Sequence, residues 1–216
     1  VEEGKEDEKS SEETEAPKKI VYYVTDLQQQ SQYVKMFREQ DMNAVVLLHN
    51  IDQPFVSALE AGDDDVKFQR IDADLTDAFK EEGDEEKLKE DTETLKELFR
   101  KATGKDQLEV KVEKLKNDKV SSMITLSEEA RRMQDMMKLY GMDANMFGGA
   151  NGATLVLNAN HPLVKYVAAH KEDDKNVPLI CQQLYDLAMM AHKQLSPDEM
   201  TQFIARSNQI LLALAK

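Results

Sequence analysis

The chain has 216 residues, of which 41% are hydrophobic and 32% charged, enough to build the cores of one large or two small domains. Its net charge of −14 argues against nucleic acid or an anionic membrane as a partner, because binding phosphate needs clustered Lys and Arg. The single cysteine excludes an internal disulfide framework, and no apolar run approaches the ~20 residues that span a bilayer. The chain does not begin with Met, so we expect it to be part of a longer protein.

The first 80 residues predict an acidic flexible segment at 1–19 and then a small α/β unit at 20–80. Apolar and β-branched runs alternate there with amphipathic stretches in the order strand, helix, strand, helix, strand: 20–24, 28–40, 44–48, 52 onward and 66–71. This alternation predicts a three-layer unit, with a small parallel or mixed sheet covered on both faces.

The ends of strands in such units often carry catalytic or nucleotide sites, and His49 is the one candidate at such a position. No base or nucleophile lies beside His49 in sequence, so a turn or capping role is the simpler interpretation. His161, His170 and His192 show no paired ligand spacing, and the residues therefore predict no catalytic, metal or cofactor site. A small-molecule enzyme that uses His49 stays open as an alternative.

Residues 81–104 predict a charged connecting helix with one thin apolar face, and residues 105–216 predict an α+β unit. In that unit an alternating strand at 108–112 is expected to pair with a strand at 120–126 through a turn at 117–118. Ser127 is expected to cap a helix, and a third strand at 153–157 precedes a helix that opens at 160–162.

A methionine-rich stretch follows Ser127. One helical face carries Met133, Met136, Met137 and Tyr140, and a glycine-rich loop at 141–152 continues it with Met142, Met146 and Phe147. Methionine side chains are flexible and polarizable and fit partners of varied shape, which favours an exposed binding surface. Ordinary core packing explains the same stripe equally simply, so both interpretations stay open.

The last forty residues predict two helices joined by a tight turn, at 177–193 and from 197 onward. Ser196, Pro197 and Glu199 fit the N-cap, the first helical position and the capping box of the second helix. The apolar faces of the two helices carry Leu184, Leu187, Ala188, Ala191, Phe203, Ile204, Ser207, Ile210, Leu211 and Leu214. These faces either dock on the chain's own core or pair with a second copy in a four-helix bundle.

With these residues in hand, the chain resembles the C-terminal half of the ninety-kilodalton heat-shock chaperone family, nearest its bacterial form. In the first unit the resemblance rests on Ile20-Val21-Tyr22-Tyr23-Val24-Thr25-Asp26, Ala44-Val45-Val46-Leu47-Leu48 and Phe68-Gln69-Arg70-Ile71-Asp72. In the second it rests on Leu155-Val156-Leu157-Asn158-Ala159-Asn160-His161-Pro162-Leu163-Val164, Leu184-Tyr185-Asp186-Leu187-Ala188 and Phe203-Ile204-Ala205-Arg206-Ser207-Asn208-Gln209-Ile210.

The resemblance implies a fold and a function. The first unit would end the middle domain, the second would form a homodimer through its final two helices, and the methionine face would contact unfolded or partly folded client proteins. ATP and Mg would bind in an N-terminal domain outside this chain, so the chain itself would be neither an enzyme nor a holder of cofactors. It ends at Leu214-Ala215-Lys216 without an acidic co-chaperone peptide, which fits a bacterial cytoplasmic protein. A scaffold subunit of a stable complex remains the other alternative.

Overall fold

The computed structural model describes residues 19–49, 51–63, 65–73, 77–127, 130, 133, 136–137 and 152–215. In chain order, the elements with defined ends are β1 (Lys19–Val24), α1 (Ser31–Glu39), β2 (Val45–Val46), α2 (Asp52–Gly62), β3 (Val66–Arg70), a short 3-10 helix (Asp77–Phe79), α3 (Glu85–Thr103), β4 (Glu109–Glu113), β5 (Ser122–Leu126), β6 (Ala153–Asn158), α4 (Pro162–Ala169), α5 (Val177–His192) and α6 (Pro197–Leu214). The acidic segment predicted at 1–19 lies outside the described residues except for Lys19, the first residue of β1.

The first sheet is parallel, with strand order β2-β1-β3, as its alternation of strands and helices predicts. Tyr23 lies opposite both Val45 of β2 and Arg70 of β3. The strand predicted at 44–48 is much shorter than expected, and Val45 and Val46 are 49% and 47% exposed. Among the described strands, β1 is the only hydrogen-bonded neighbour of β2, so β2 is an edge strand and its apolar run is not covered from both sides.

The second sheet is mixed, with order β4-β6-β5, so the predicted pairing of 108–112 with 120–126 is wrong. Strand β6 lies between the other two, parallel to β4 and antiparallel to β5. The side chain of Asn158, at the end of β6, explains why no hairpin forms. Its Oδ1 accepts the N–H of Leu115 at 3.1 Å, and its Nδ2 donates to the carbonyls of Asn117 and Val120 at 2.9 and 2.7 Å. The segment between β4 and β5 therefore wraps around a buried amide.

Helices α3 and α5 cover one face of this second sheet. Leu95 and Phe99 of α3 are each 1% exposed and join the core cluster formed by β4, β6 and α5. Helix α3 begins at an N-cap, Asp84, whose carboxylate accepts the N–H groups of Glu86 and Lys87. The apolar face of α3, which the sequence predicted to be thin, therefore forms part of the core of the second unit.

The two sheets share a further core where α1 meets β5. Residues from both sheets contribute to it: Val24, Tyr33, Met36, Phe37, Ile71, Phe79, Leu115, Met123 and Val156. The Tyr33 hydroxyl donates to the carbonyl of Ile124, and Ala73 forms a parallel bridge with Leu126. The first unit therefore rests on the second through buried apolar contacts and through backbone pairing.

Candidate functional site: an exposed helical hairpin and a methionine face

Helices α5 and α6 form the predicted hairpin, and the capping box between them is confirmed. The Oγ of Ser196 accepts the N–H of Glu199 at 3.3 Å, while the Glu199 carboxylate accepts the N–H of Ser196 at 2.9 Å. The donated N–H of Ser196 also holds the pKa of Glu199 below its usual range. With Pro197 at the first helical position, the start of α6 is fixed by local chemistry.

Polar contacts hold α6 against α5. Arg206, the one buried residue of α6, donates from Nε to Gln183 Oε1 at 2.9 Å and pairs with the Asp186 carboxylate. Gln183 also donates to Ser207 Oγ at 3.2 Å. Burial raises the pKa of Asp186, and Arg206 opposes that rise. This ion pair was missed by sequence reasoning, although Asp186 is the only acidic residue of α5 and Arg206 the only basic residue of α6.

Because α6 is held by polar contacts, much of its apolar face stays exposed. Ile204, Leu211 and Leu214 are 52%, 62% and 80% exposed. Such an uncovered run of large apolar side chains on one helix marks an interaction surface.

The predicted dimer residues fall into three groups. Leu184 and Ala188 are each 1% exposed and belong to the chain's own core, so their side chains are not available to a partner. A second group is half-buried: Ala191, Phe203, Ser207 and Ile210. The third group is exposed: Leu187, Ile204, Leu211 and Leu214. The surface that a second chain could cover therefore lies mainly on α6.

The methionine face is described in part. Met133 and Met136 lie in helical positions and are each 54% exposed, and Met137 is half-buried. Ser127 Oγ accepts the N–H of Ala130 at 3.2 Å, as expected of a cap. The other predicted client residues lie outside the described residues, as does most of the glycine-rich loop: Tyr140, Met142, Met146 and Phe147.

A buried charge cluster joins the first unit to the end of α5. Arg70 donates to both oxygens of Asp72, at 2.5 and 3.0 Å. His192 Nδ1 lies 3.7 Å from Asp72 Oδ2, the oxygen that also accepts a hydrogen bond from Arg70. Burial would raise the pKa of Asp72, but His192 and Arg70 outweigh burial and hold it well below its usual range.

The described residues show no catalytic or metal-binding arrangement around the remaining candidates. His49 is exposed, its backbone N–H donates to Asp52 Oδ2 at 2.8 Å, and its carbonyl accepts the N–H of Asp52 at 2.9 Å, so it serves the predicted turn. Within the described ranges no group of His, Cys, Asp and Glu could hold a metal ion. In that part of the chain, too, no helix is long and apolar enough to cross a membrane.

A mixed α/β chain that leaves so much apolar helical surface open has the features of a protein that works through contacts with other polypeptides. The chain belongs to the Hsp90 protein family, whose model matches residues 8–215. The family resemblance seen in the sequence is therefore confirmed.

Three bacterial relatives illustrate this membership. The chain is 29% identical over 176 residues to Chaperone protein htpG of Bacteroides fragilis, covering 74% of this chain and 25% of the relative. It is 34% identical over 170 residues to Chaperone protein HtpG of Porphyromonas gingivalis, covering 74% and 24%. It is 30% identical over 165 residues to Chaperone protein HtpG of Bacteroides thetaiotaomicron, covering 71% and 23%. The chain thus spans about a quarter of the length of these relatives.

Proposed function

We propose that the chain is a C-terminal part of a bacterial Hsp90 chaperone of the HtpG type (high-temperature protein G), in which it joins two copies and contacts unfolded client proteins. Residues 20–80 would end the middle domain, 81–104 would connect, and 105–216 would form the dimerisation and client-binding domain. The ATPase site, with its ATP and Mg, would lie in a domain outside these residues, and the whole protein would act in the cytoplasm.

The uncovered apolar face of α6 carries this proposal. Burying a Leu or Ile side chain contributes roughly 1.5–3 kcal/mol, and α6 leaves Ile204, Leu211 and Leu214 more than half exposed. In a two-fold dimer the same patch contributes from both chains, so each residue counts twice. Pairing α5 and α6 with their copies in a four-helix bundle would cover this face, and the Arg206–Asp186 pair would set how the two helices of each chain present it.

Solution mass tests the dimer. Sedimentation equilibrium at micromolar concentration is expected to give twice the 24.6 kDa mass of one chain. The double variant Leu211→Asp, Leu214→Asp is expected to sediment as a single chain, because a symmetric interface would then bury four unpaired carboxylates. As a matched control, Leu163→Asp changes a 42% exposed residue of α4 and should leave the dimer intact. Single chains in the unsubstituted protein would overturn the dimer.

Client contact is assigned to the methionine face. Exposed, unbranched Met133 and Met136 can adapt to apolar segments of different shapes. Suppression of the aggregation of a thermally unfolded test protein is expected to fall several-fold in Met136→Ser, Met137→Ser. The variant Leu163→Ser, which changes an exposed apolar residue elsewhere, should retain full suppression. Full suppression by a folded, dimeric methionine double variant would move client contact to another surface.

A further inference from the structure

The stretch that carries the methionine face leaves the second sheet and returns to it at one point. Leu126, the last residue of β5, lies opposite Ala153, the first residue of β6. One position further out, the N–H of Ser127 donates to the carbonyl of Gly152 at 3.1 Å. This bond continues the hydrogen bonding between the two strands, so the two ends of the stretch 127–152 are held side by side.

Gly152 has a backbone conformation and surroundings that exclude a side chain. Its φ is 81°, in the left-handed region that favours glycine. A Cβ at this position would lie 2.3 Å from the Cβ of Ala130 and 3.3 Å from the Oγ of Ser127. Carbon atoms in contact stay about 3.5–4.0 Å apart, so a side chain at position 152 would displace Ala130 by about 1 Å or more. Since the Ala130 Cβ is bonded directly to the backbone, it cannot rotate aside, and the backbone of residue 130 would have to move.

Gly104 separates the two properties of Gly152. Its φ of 66° is also left-handed, but a Cβ added to Gly104 would meet no atom within 4 Å. The left-handed conformation is therefore common to both glycines, and only Gly152 combines it with the close approach of another segment. The Gly152–Ala130 contact is the feature that needs a separate explanation.

Ala130 belongs to the helical residues that carry the methionine face. Residues 130, 133, 136 and 137 all lie in helical positions, and Ser127 Oγ accepts the N–H of Ala130 at 3.2 Å as the cap. Met133 and Met136 follow Ala130 by about one and two helical turns. A displacement of residue 130 is therefore carried along the helix to both methionines, so the contact with Gly152 sets the direction in which they are presented.

We propose that Gly152 is a positioning residue for client binding. Because it has no side chain, Ala130 can pack directly against its backbone, and this contact fixes the angle at which Met133 and Met136 meet apolar segments of an unfolded protein. The inference rests on the proposed client contact of the methionine face and adds to it a residue that lies outside that face. Gly152 acts through Ala130 and needs no contact with the client.

Matched glycine variants test this role through suppression of the aggregation of a thermally unfolded test protein. Suppression is expected to fall several-fold in Gly152→Ala and to stay unchanged in Gly104→Ala, which adds the same methyl group at a left-handed position in open surroundings. Adding Ala130→Gly to Gly152→Ala removes the clashing Cβ and is expected to restore at least half of the suppression. Ala130→Val enlarges the same contact from the helix side and leaves Gly152 in place. It is expected to lose suppression several-fold as well, and it provides the test if Gly152→Ala does not fold.

A distance measurement reports the direction of the helix itself. Spin labels on Met136→Cys and Leu163→Cys would be measured with the labelled chain diluted in excess unlabelled chain, and Cys181 stays unlabelled because it is buried. The distance between the labels is expected to shift by about 1 Å or more in Gly152→Ala and to return in the double variant with Ala130→Gly. It should not change in Gly104→Ala.

The outcomes separate this inference from the proposed function. An unchanged distance and full suppression in Gly152→Ala, while Met136→Ser, Met137→Ser loses suppression, would overturn the positioning role and leave the client contact in place. A shifted distance with full suppression, or a loss that Ala130→Gly does not restore, would overturn the positioning role as well. Full suppression by the folded, dimeric methionine double variant would instead overturn the client contact, and this inference with it.

Discussion

At the scale of single residues, the junction of the two units depends on a buried ion pair. The side chains of Arg70 and Asp72 are 8% and 3% exposed, so replacing Asp72 by a neutral residue breaks a doubly hydrogen-bonded ion pair in the interior. Asp72→Asn is therefore expected to lower the free energy of unfolding by about 3–5 kcal/mol in chemical denaturation. Asp77→Asn is the matched control, because Asp77 pairs with Lys80 through a carboxylate that is 98% exposed, and no measurable change is expected. Equal changes in unfolding free energy in the two variants would show that the buried Arg70–Asp72 pair stabilises the fold no more than the exposed Asp77–Lys80 pair does.

The Asp72 carboxylate also predicts how the free energy of unfolding changes with pH. Burial favours the neutral acid, but His192 and Arg70 outweigh it and hold the pKa of Asp72 well below the ordinary 3.8. A carboxyl group whose pKa is lower in the folded state than in the unfolded state stabilises the fold. This stabilisation is fully present above the unfolded-state pKa and is lost as the pH falls from there towards the folded-state pKa. The difference in unfolding free energy between the unsubstituted protein and Asp72→Asn should thus be large at pH 5 and shrink below about pH 4. A difference that stays constant down to pH 3 would contradict the depressed pKa.

At the scale of elements, two glycines give substitutions of opposite sign. Gly104 is the C-cap of α3 and has a φ of 66°. An added Cβ would meet no atom within 4 Å, so only the backbone conformation disfavours another residue at this position. Gly104→Ala is expected to destabilise by about 1 kcal/mol. Gly62, the last residue of α2, has the same open surroundings without a positive φ, and Gly62→Ala should stabilise by about 0.5 kcal/mol. Thermal unfolding of both variants checks the pair, and a shared sign would contradict this explanation.

Elements defined by neighbouring residues could be predicted from the sequence, and those defined by distant partners could not. The capping box at 196–199 and the alternation of β4 follow from residues close in the chain. The partner of β4 is β6, more than forty residues later, and nothing around 108–126 reveals that Asn158 will organise the connection between β4 and β5. The short length of the edge strand β2 could not be predicted for the same reason, because an apolar run does not show whether it has neighbouring strands on one side or on both.

At the scale of the whole molecule, the sequence reveals apolar faces but not what covers them. Leu184 and Leu211 both lie on apolar faces of the predicted hairpin, yet Leu184 is 1% exposed in the chain's own core and Leu211 is 62% exposed. Along the helix predicted from residue 52, Val56 is buried, whereas Phe55 and Leu59 are 57% and 40% exposed. Periodicity reports that a face needs cover, and only the packing of the whole chain shows which faces remain open to other polypeptides.

The shared core predicts that the two units unfold together. Met123 of β5 is fully buried in the cluster that also contains Val24 and Tyr33 of the first unit. Met123→Ala would leave a cavity between the sheets and is expected to cost roughly 2–5 kcal/mol. Because the cluster joins both units, amide exchange should accelerate by the same factor, roughly thirty-fold or more, in β1 and in β6. Met133→Ala, which changes a 54% exposed side chain, should leave both rates unchanged. Acceleration confined to β6 would show that the first unit is stable without the second, and the contacts of Tyr33 and Ala73 across the junction would then contribute little to its stability.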